Sequence, residues 1–186
     1  FIEIVMSWAC NLRRIGEFRN VLIAAFDDAS YETLFLLGMP VFIPSQSLGK
    51  ADGGPGHYAY GNDVYKQVTK MKTAVVVDVL KHHRDVIWCD PDIVLYRPFV
   101  ADLMAGEHDF QLQNNNPTSL ETNLLKTNSG FYYVRSTQWV IAALSAVVVH
   151  ASKSAESEQM SWNAVLCAEQ DASKDQCFYE GNVLQF

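Results

Sequence analysis

Val86-Ile-Trp-Cys-Asp-Pro-Asp-Ile-Val-Leu-Tyr96 is an apolar run interrupted by two carboxylates, Asp90 and Asp92, on either side of Pro91. Short apolar runs bounded by turn signals read as buried strands, and Val86–Asp90 is one of them. Pro91 fixes its own φ and pushes Asp90 away from helical geometry. An extended backbone puts residues i and i+2 on the same side, so Asp90 and Asp92 are expected to project together. Side by side near an apolar sheet, they resist joint ionisation. A divalent cation removes that conflict, and all-oxygen ligation suits Mg²⁺ or Mn²⁺ rather than zinc. The competing reading is an Asp-Pro turn that simply faces water.

Outward from this stretch, helices and short apolar strands alternate. Upstream, the pattern predicts a helix over Phe1–Asn20, a strand over Val21–Phe26, a helix over Ala29–Leu37 stopped by Gly38, a strand over Val41–Ile43 and a helix over Asp63–His82. Downstream it predicts strands over Asp109–Gln113 and Ser129–Val134 and helices over Trp139–His150 and Glu156–Ala168, with Trp162 and Leu166 in the core. Ser45–Gly61, rich in Gly, Ser and Pro, is a long loop. Such interleaving indicates an α/β sheet with helices on both faces, in which ligands bind beyond the carboxyl ends of the strands. Three expected strands end in polar groups: Asp27-Asp28, Asp90-Pro-Asp92 and Asn114-Asn115-Asn116.

The whole chain bounds the function. Its 186 residues suit one compact domain, and an apolar share of 49% supplies a core. A net charge of −7 disfavours sequence-independent binding of nucleic acid. No run approaches the roughly 20 apolar residues that cross a bilayer. Of the four cysteines, no pair has CxxC spacing, which argues against structural zinc. Cys89 reads as a buried thiol, while Cys167 and Cys177 flank a polar stretch that a disulfide would close.

Further positions carry polar groups where apolar ones surround them. Lys72 rises from the apolar arc of its helix, among Tyr65, Val68, Val75, Val76 and Val79. It either snorkels to water or meets a buried anion. Asn128 enters an apolar strand beside Gly130 and reads as a turn residue or as a partner for hydroxyl groups. Glu158 and Gln159 open a helix, where an acid also complements the dipole.

In order and spacing, VLIAAFDDAS, the Lys72 helix, VIWCDPDIVLYRPF, HDFQLQ, TNSGFYYVRST and EQMSWNAVL resemble the nucleotide-diphospho-sugar transferase family of GT-A fold, which includes plant and algal xylosyl-, arabinosyl- and galactosyltransferases. The resemblance implies a Rossmann-like, mixed but mainly parallel sheet in a single, partial catalytic domain. It implies that Asp90 and Asp92 form a DxD motif binding Mn²⁺ (or Mg²⁺) and the donor diphosphate, that Asp27 lies near the nucleoside, that Lys72 approaches the phosphates, and that Asn128 contacts the sugar. Glu158-Gln159 matches the family's Asp-Gln pair as catalytic residues, with Glu one methylene longer. The implied reaction is retaining transfer from a UDP-sugar to a glycan or glycoprotein hydroxyl, in the Golgi lumen, on a type II protein whose membrane anchor lies outside this chain. Two other classes compete. One is a glycosyltransferase-like subunit kept for structure or sugar binding. The other is an aspartate-nucleophile phosphatase, which needs Gly-Thr where Ile93-Val94 stand.

Overall fold

A computed structural model describes residues 1–45, 62–114, 124–125, 127–155, 157–166, 169–171 and 176–178. Nearly all of the expected Ser45–Gly61 loop and the side chains of the suggested Cys167–Cys177 bridge lie outside the described residues. The chain forms two compact units whose segments interleave, one comprising Phe1–Met71 and Cys89–Glu107, the other Lys72–Trp88 and His108–Phe186. Interleaving leaves no single linear boundary for composition to mark.

In the first unit, helix α1 (Ile2–Arg14) buries Val5, Ala9 and Leu12, one face at helical spacing. The helix expected through Asn20 stops early. Gly16 takes φ +83, and the Glu17 N–H turns back to the Leu12 carbonyl at 2.9 Å. Strand β1 (Ile23–Ala24) pairs in parallel with β2 (Val41–Phe42) across helix α2 (Asp28–Leu36). Val5, Ala9, Leu34 and Met39 form the core of this layer.

Helix α3 (Asp63–Lys81) leads into strand β3 (Val86–Cys89). The second apolar run, Ile93–Tyr96, forms no strand, and a helix the sequence pattern did not reveal, α4 (Val100–Ala105), follows it.

The second unit contains a sheet of order β3-β6-β4, where β4 is Phe110–Asn114 and β6 is Thr127–Val134. Helices α5 (Gln138–Lys153) and α6 (Glu158–Leu166) pack on each other, and α6 packs on β6. Val76, Leu80, Tyr132, Leu144 and Trp162 are buried in one cluster. Asp85, just before β3, accepts the Ser136 N–H at 2.7 Å and the Tyr133 hydroxyl at 3.0 Å, tying that end of the sheet together. A further sheet, β5 (Leu124–Leu125), β8 (Gln176–Phe178) and β7 (Glu169–Asp171), pairs antiparallel throughout.

The mixed α/β class stands, but the mainly parallel sheet does not appear among the described strands. β1–β2 is parallel, whereas β4–β6 is antiparallel. That expectation came from the resemblance; apolar runs identify strands without stating their direction. No helix among the described residues is long and apolar enough to cross a membrane.

Candidate functional site

Asp90 and Asp92 occupy a tight turn at the end of β3. The Ile93 N–H donates to the Asp90 carbonyl at 3.2 Å, closing Asp90–Ile93 with Pro91 in the second position, where its fixed φ is favoured. The extended backbone expected here is therefore absent. The carboxylates stand at the first and third corners of a turn, Asp90 half-buried and Asp92 exposed. A cavity of about 560 Å³ adjoins Asp92, lined by Asp92 and Val94 from this segment and by Glu3, Ser7, Trp8 and Asn11 from α1.

Helix α1 grips the chain on both sides of that turn. The Trp8 indole N–H donates to Cys89 Sγ at 3.3 Å. Asn11 Nδ2 donates to the Leu95 carbonyl, and its Oδ1 accepts the Leu95 N–H, both at 2.9 Å. Glu17 Oε1 accepts the N–H groups of Phe99 and Val100 at 3.0 and 3.3 Å, capping α4. Trp8, Asn11 and Glu17 drew no attention in the sequence, because each partner lies more than 80 positions away.

Burial pushes the Cys89 thiol up to about 12; the indole N–H opposes the shift, and the Asp90 and Asp92 carboxylates add to it. The thiolate is the reactive form, so Cys89 is inert in the folded chain while exposed Cys10 is not. Peptide mapping after brief alkylation at pH 8 is expected to find label on Cys10 and none on Cys89. Equal labelling of the two would contradict the buried placement.

In the second unit, Lys72 is only 9% exposed, so it does not snorkel to water. Its Nζ lies 5.7 Å from the centre of the Trp88 ring, within cation–π range. Beside it, the buried Thr73 hydroxyl donates to Glu158 Oε1 and accepts the Trp162 N–H at 2.9 Å. Glu158, expected to be catalytic, is 1% exposed and faces this interior network rather than solvent.

Asn128 and Gln159 are brought together by a bulge in β6. Register with β4 jumps from Leu112↔Tyr132 to Gln113↔Asn128, so Ser129, Gly130 and Phe131 drop out of the ladder. Bulges of this kind re-aim side chains. Two amide oxygens take up the released N–H groups: Asn128 Oδ1 accepts from Gly130 at 2.7 Å, and Gln159 Oε1 accepts from Ser129 at 3.5 Å. One helical turn on, Asn163 Oδ1 accepts the Thr127 hydroxyl at 2.6 Å. Asn163 and Gln159 thus hold the residues flanking Asn128, a role for Asn163 that its position in the sequence does not show.

Asp27 is the N-cap of α2. Its carboxylate accepts the Ser30 N–H and hydroxyl, each at 2.8 Å.

A hard cation fits the donor set of the Asp90–Asp92 turn. Both side chains offer carboxylate oxygens from a single tight turn. Among the described residues no cluster of three or more acidic, His or Cys side chains completes a closed protein cage. Mg²⁺-like ions commonly use one or two carboxylates and take the remaining ligands from phosphate and water.

The family model described as nucleotide-diphospho-sugar transferase matches residues 16–181. The beta-arabinofuranosyltransferase RAY1 of Arabidopsis thaliana is 33% identical over 181 residues, covering 94% of this chain and 33% of the relative. The arabinosyltransferase XEG113 of the same plant is 24% identical over 54% of this chain and 15% of its own length. A UDP-galactose:fucoside alpha-3-galactosyltransferase of Dictyostelium discoideum is 33% identical over 45% of this chain and 13% of its own length. The chain therefore spans a third or less of each of these relatives. No solved structure matches it. A match running through both units, with the acidic turn inside it, makes this chain a member of the nucleotide-diphospho-sugar transferase family.

Proposed function

We propose that this chain is the donor-binding part of a glycosyltransferase that moves a sugar from a UDP-sugar to a hydroxyl of a glycan or glycoprotein, with retention at the anomeric carbon. The supporting observation is the Asp90-Pro91-Asp92 turn at the end of β3, within a chain of this family. A location in the Golgi lumen, with a membrane anchor supplied by sequence outside this chain, is part of the same proposal and follows from the motif resemblance alone.

In the reaction, the bond between the sugar's anomeric carbon and the diphosphate oxygen breaks. The anomeric carbon bonds to the acceptor oxygen, and the acceptor proton passes to the leaving oxygen or to water. Asp90 and Asp92 would hold Mn²⁺ or Mg²⁺, which would supply positive charge to neutralise the departing diphosphate. Lys72 adds a cation for the phosphates, Asp27 shapes the loop toward the nucleoside, and Asn128 and Gln159 orient the sugar through their amide groups. Glu158 acts through Thr73, by fixing α6 against α3, rather than by touching the sugar.

Mn²⁺-dependent UDP-sugar hydrolysis, measured across a panel of donors, is expected for the wild type and lost in Asp92→Asn. Hydrolysis by the variant at the wild-type rate would remove the metal assignment. The burial of Glu158 favours a second reading, a sugar-binding subunit without turnover. That reading predicts Mn²⁺-linked UDP binding by calorimetry with no hydrolysis of any donor.

A further inference from the structure

We infer that Asn11 is a positioning residue for the Asp90–Asp92 turn, and that α1 sets the affinity of that turn for its cation. The inference rests on the proposed metal role of Asp90 and Asp92. Asp92 is exposed and the run after it forms no strand, so no sheet ladder continues the turn on that side. Leu95 would normally satisfy its backbone in a ladder. Instead the Asn11 amide offers one donor and one acceptor, and Leu95 uses both at 2.9 Å. The Asn11 side chain thus serves Leu95 as an adjoining strand would.

The indole N–H of Trp8, three residues earlier on α1, holds Cys89 on the other side of the turn. Trp8 and Asn11 are neighbours at i and i+3 on one helical face. Their anchor points, Cys89 and Leu95, bracket Asp90 and Asp92. The span between the anchors is short, so it cannot extend without breaking one of them. Groups bonded directly to metal ligands typically alter metal affinity by about 10–100-fold when removed; Asn11 and Trp8 act through the chain on either side of the acids, which puts the expected effect at or below the low end of that range.

The test is the loss of free Mn²⁺, followed by its paramagnetic resonance, as the chain is titrated into Mn²⁺ in the presence of UDP. Asn11→Leu keeps the branching at Cγ and removes both bonds; it is expected to weaken Mn²⁺ binding about tenfold. Trp8→Phe keeps the ring and removes the N–H; a smaller loss, about threefold, is expected. Trp162→Phe, a change in the other unit, should lower the melting temperature without moving Mn²⁺ affinity. Wild-type affinity in a folded Asn11→Leu chain, or in Trp8→Phe should Asn11→Leu fail to fold, would overturn the inference. A wild type that takes up no Mn²⁺ with UDP would overturn the metal reading itself and this inference with it.

Discussion

Trp162→Ala is expected to destabilise the chain by about 3–5 kcal/mol, the usual cost of truncating a fully buried tryptophan. Nothing of Trp162 reaches solvent, and its ring packs 4.7 Å from Tyr132 and 5.6 Å from Phe110, centre to centre. Alanine would leave a void among aromatic neighbours whose backbones belong to β4 and β6, which cannot both close inward. The indole also donates to Thr73, so truncation removes a hydrogen bond from the interior as well. The melting temperature should fall by roughly 10 °C. Trp162→Phe separates the two contributions, because it retains most of the ring contact and loses only the donor. A melting temperature within a degree or two of wild type for Trp162→Ala would show that α6 does not pack as described.

The second large effect is expected at Thr73. Thr73→Val preserves shape and β-branching but takes the hydroxyl from between the Trp162 indole and the Glu158 carboxylate. Neither group can reach water there, and the expected cost is about 2 kcal/mol. Thr73→Ser keeps the hydroxyl and should recover most of it, leaving only the loss of a methyl group. Chemical denaturation of the three chains decides the matter. Equal midpoints for the valine and serine variants would mean that the hydroxyl contributes packing only.

Much of the architecture was readable from residue periodicity. The β3 run and the burial of Trp162 both follow from spacing of apolar side chains. Strand direction and the β6 bulge were not readable. Both depend on which backbone lies alongside, and Asn128-Ser-Gly carries the same letters in a turn as in a bulge. Lys72 shows a different limit. Sequence placed it on the apolar arc but offered only water or an anion as its partner, and the structure supplies the Trp88 ring. Glu158 in a first helical turn looked like a dipole residue or an active-site acid. Its burial is set by Thr73, 85 residues earlier, which no local window contains. The acidic turn itself was legible, whereas its geometry was not, since Pro91 permits both extended and turned neighbours.

The grip of α1 on the stretch after β3 bears on how the chain folds. Trp8–Cys89 and Asn11–Leu95 join points 81 and 84 residues apart, so each must close a long loop before it contributes anything. Distant pairings of this kind form slowly compared with helices such as α3. The acids at Asp90 and Asp92 therefore acquire their final spacing late in folding, and a peptide spanning only 86–100 would not reproduce it.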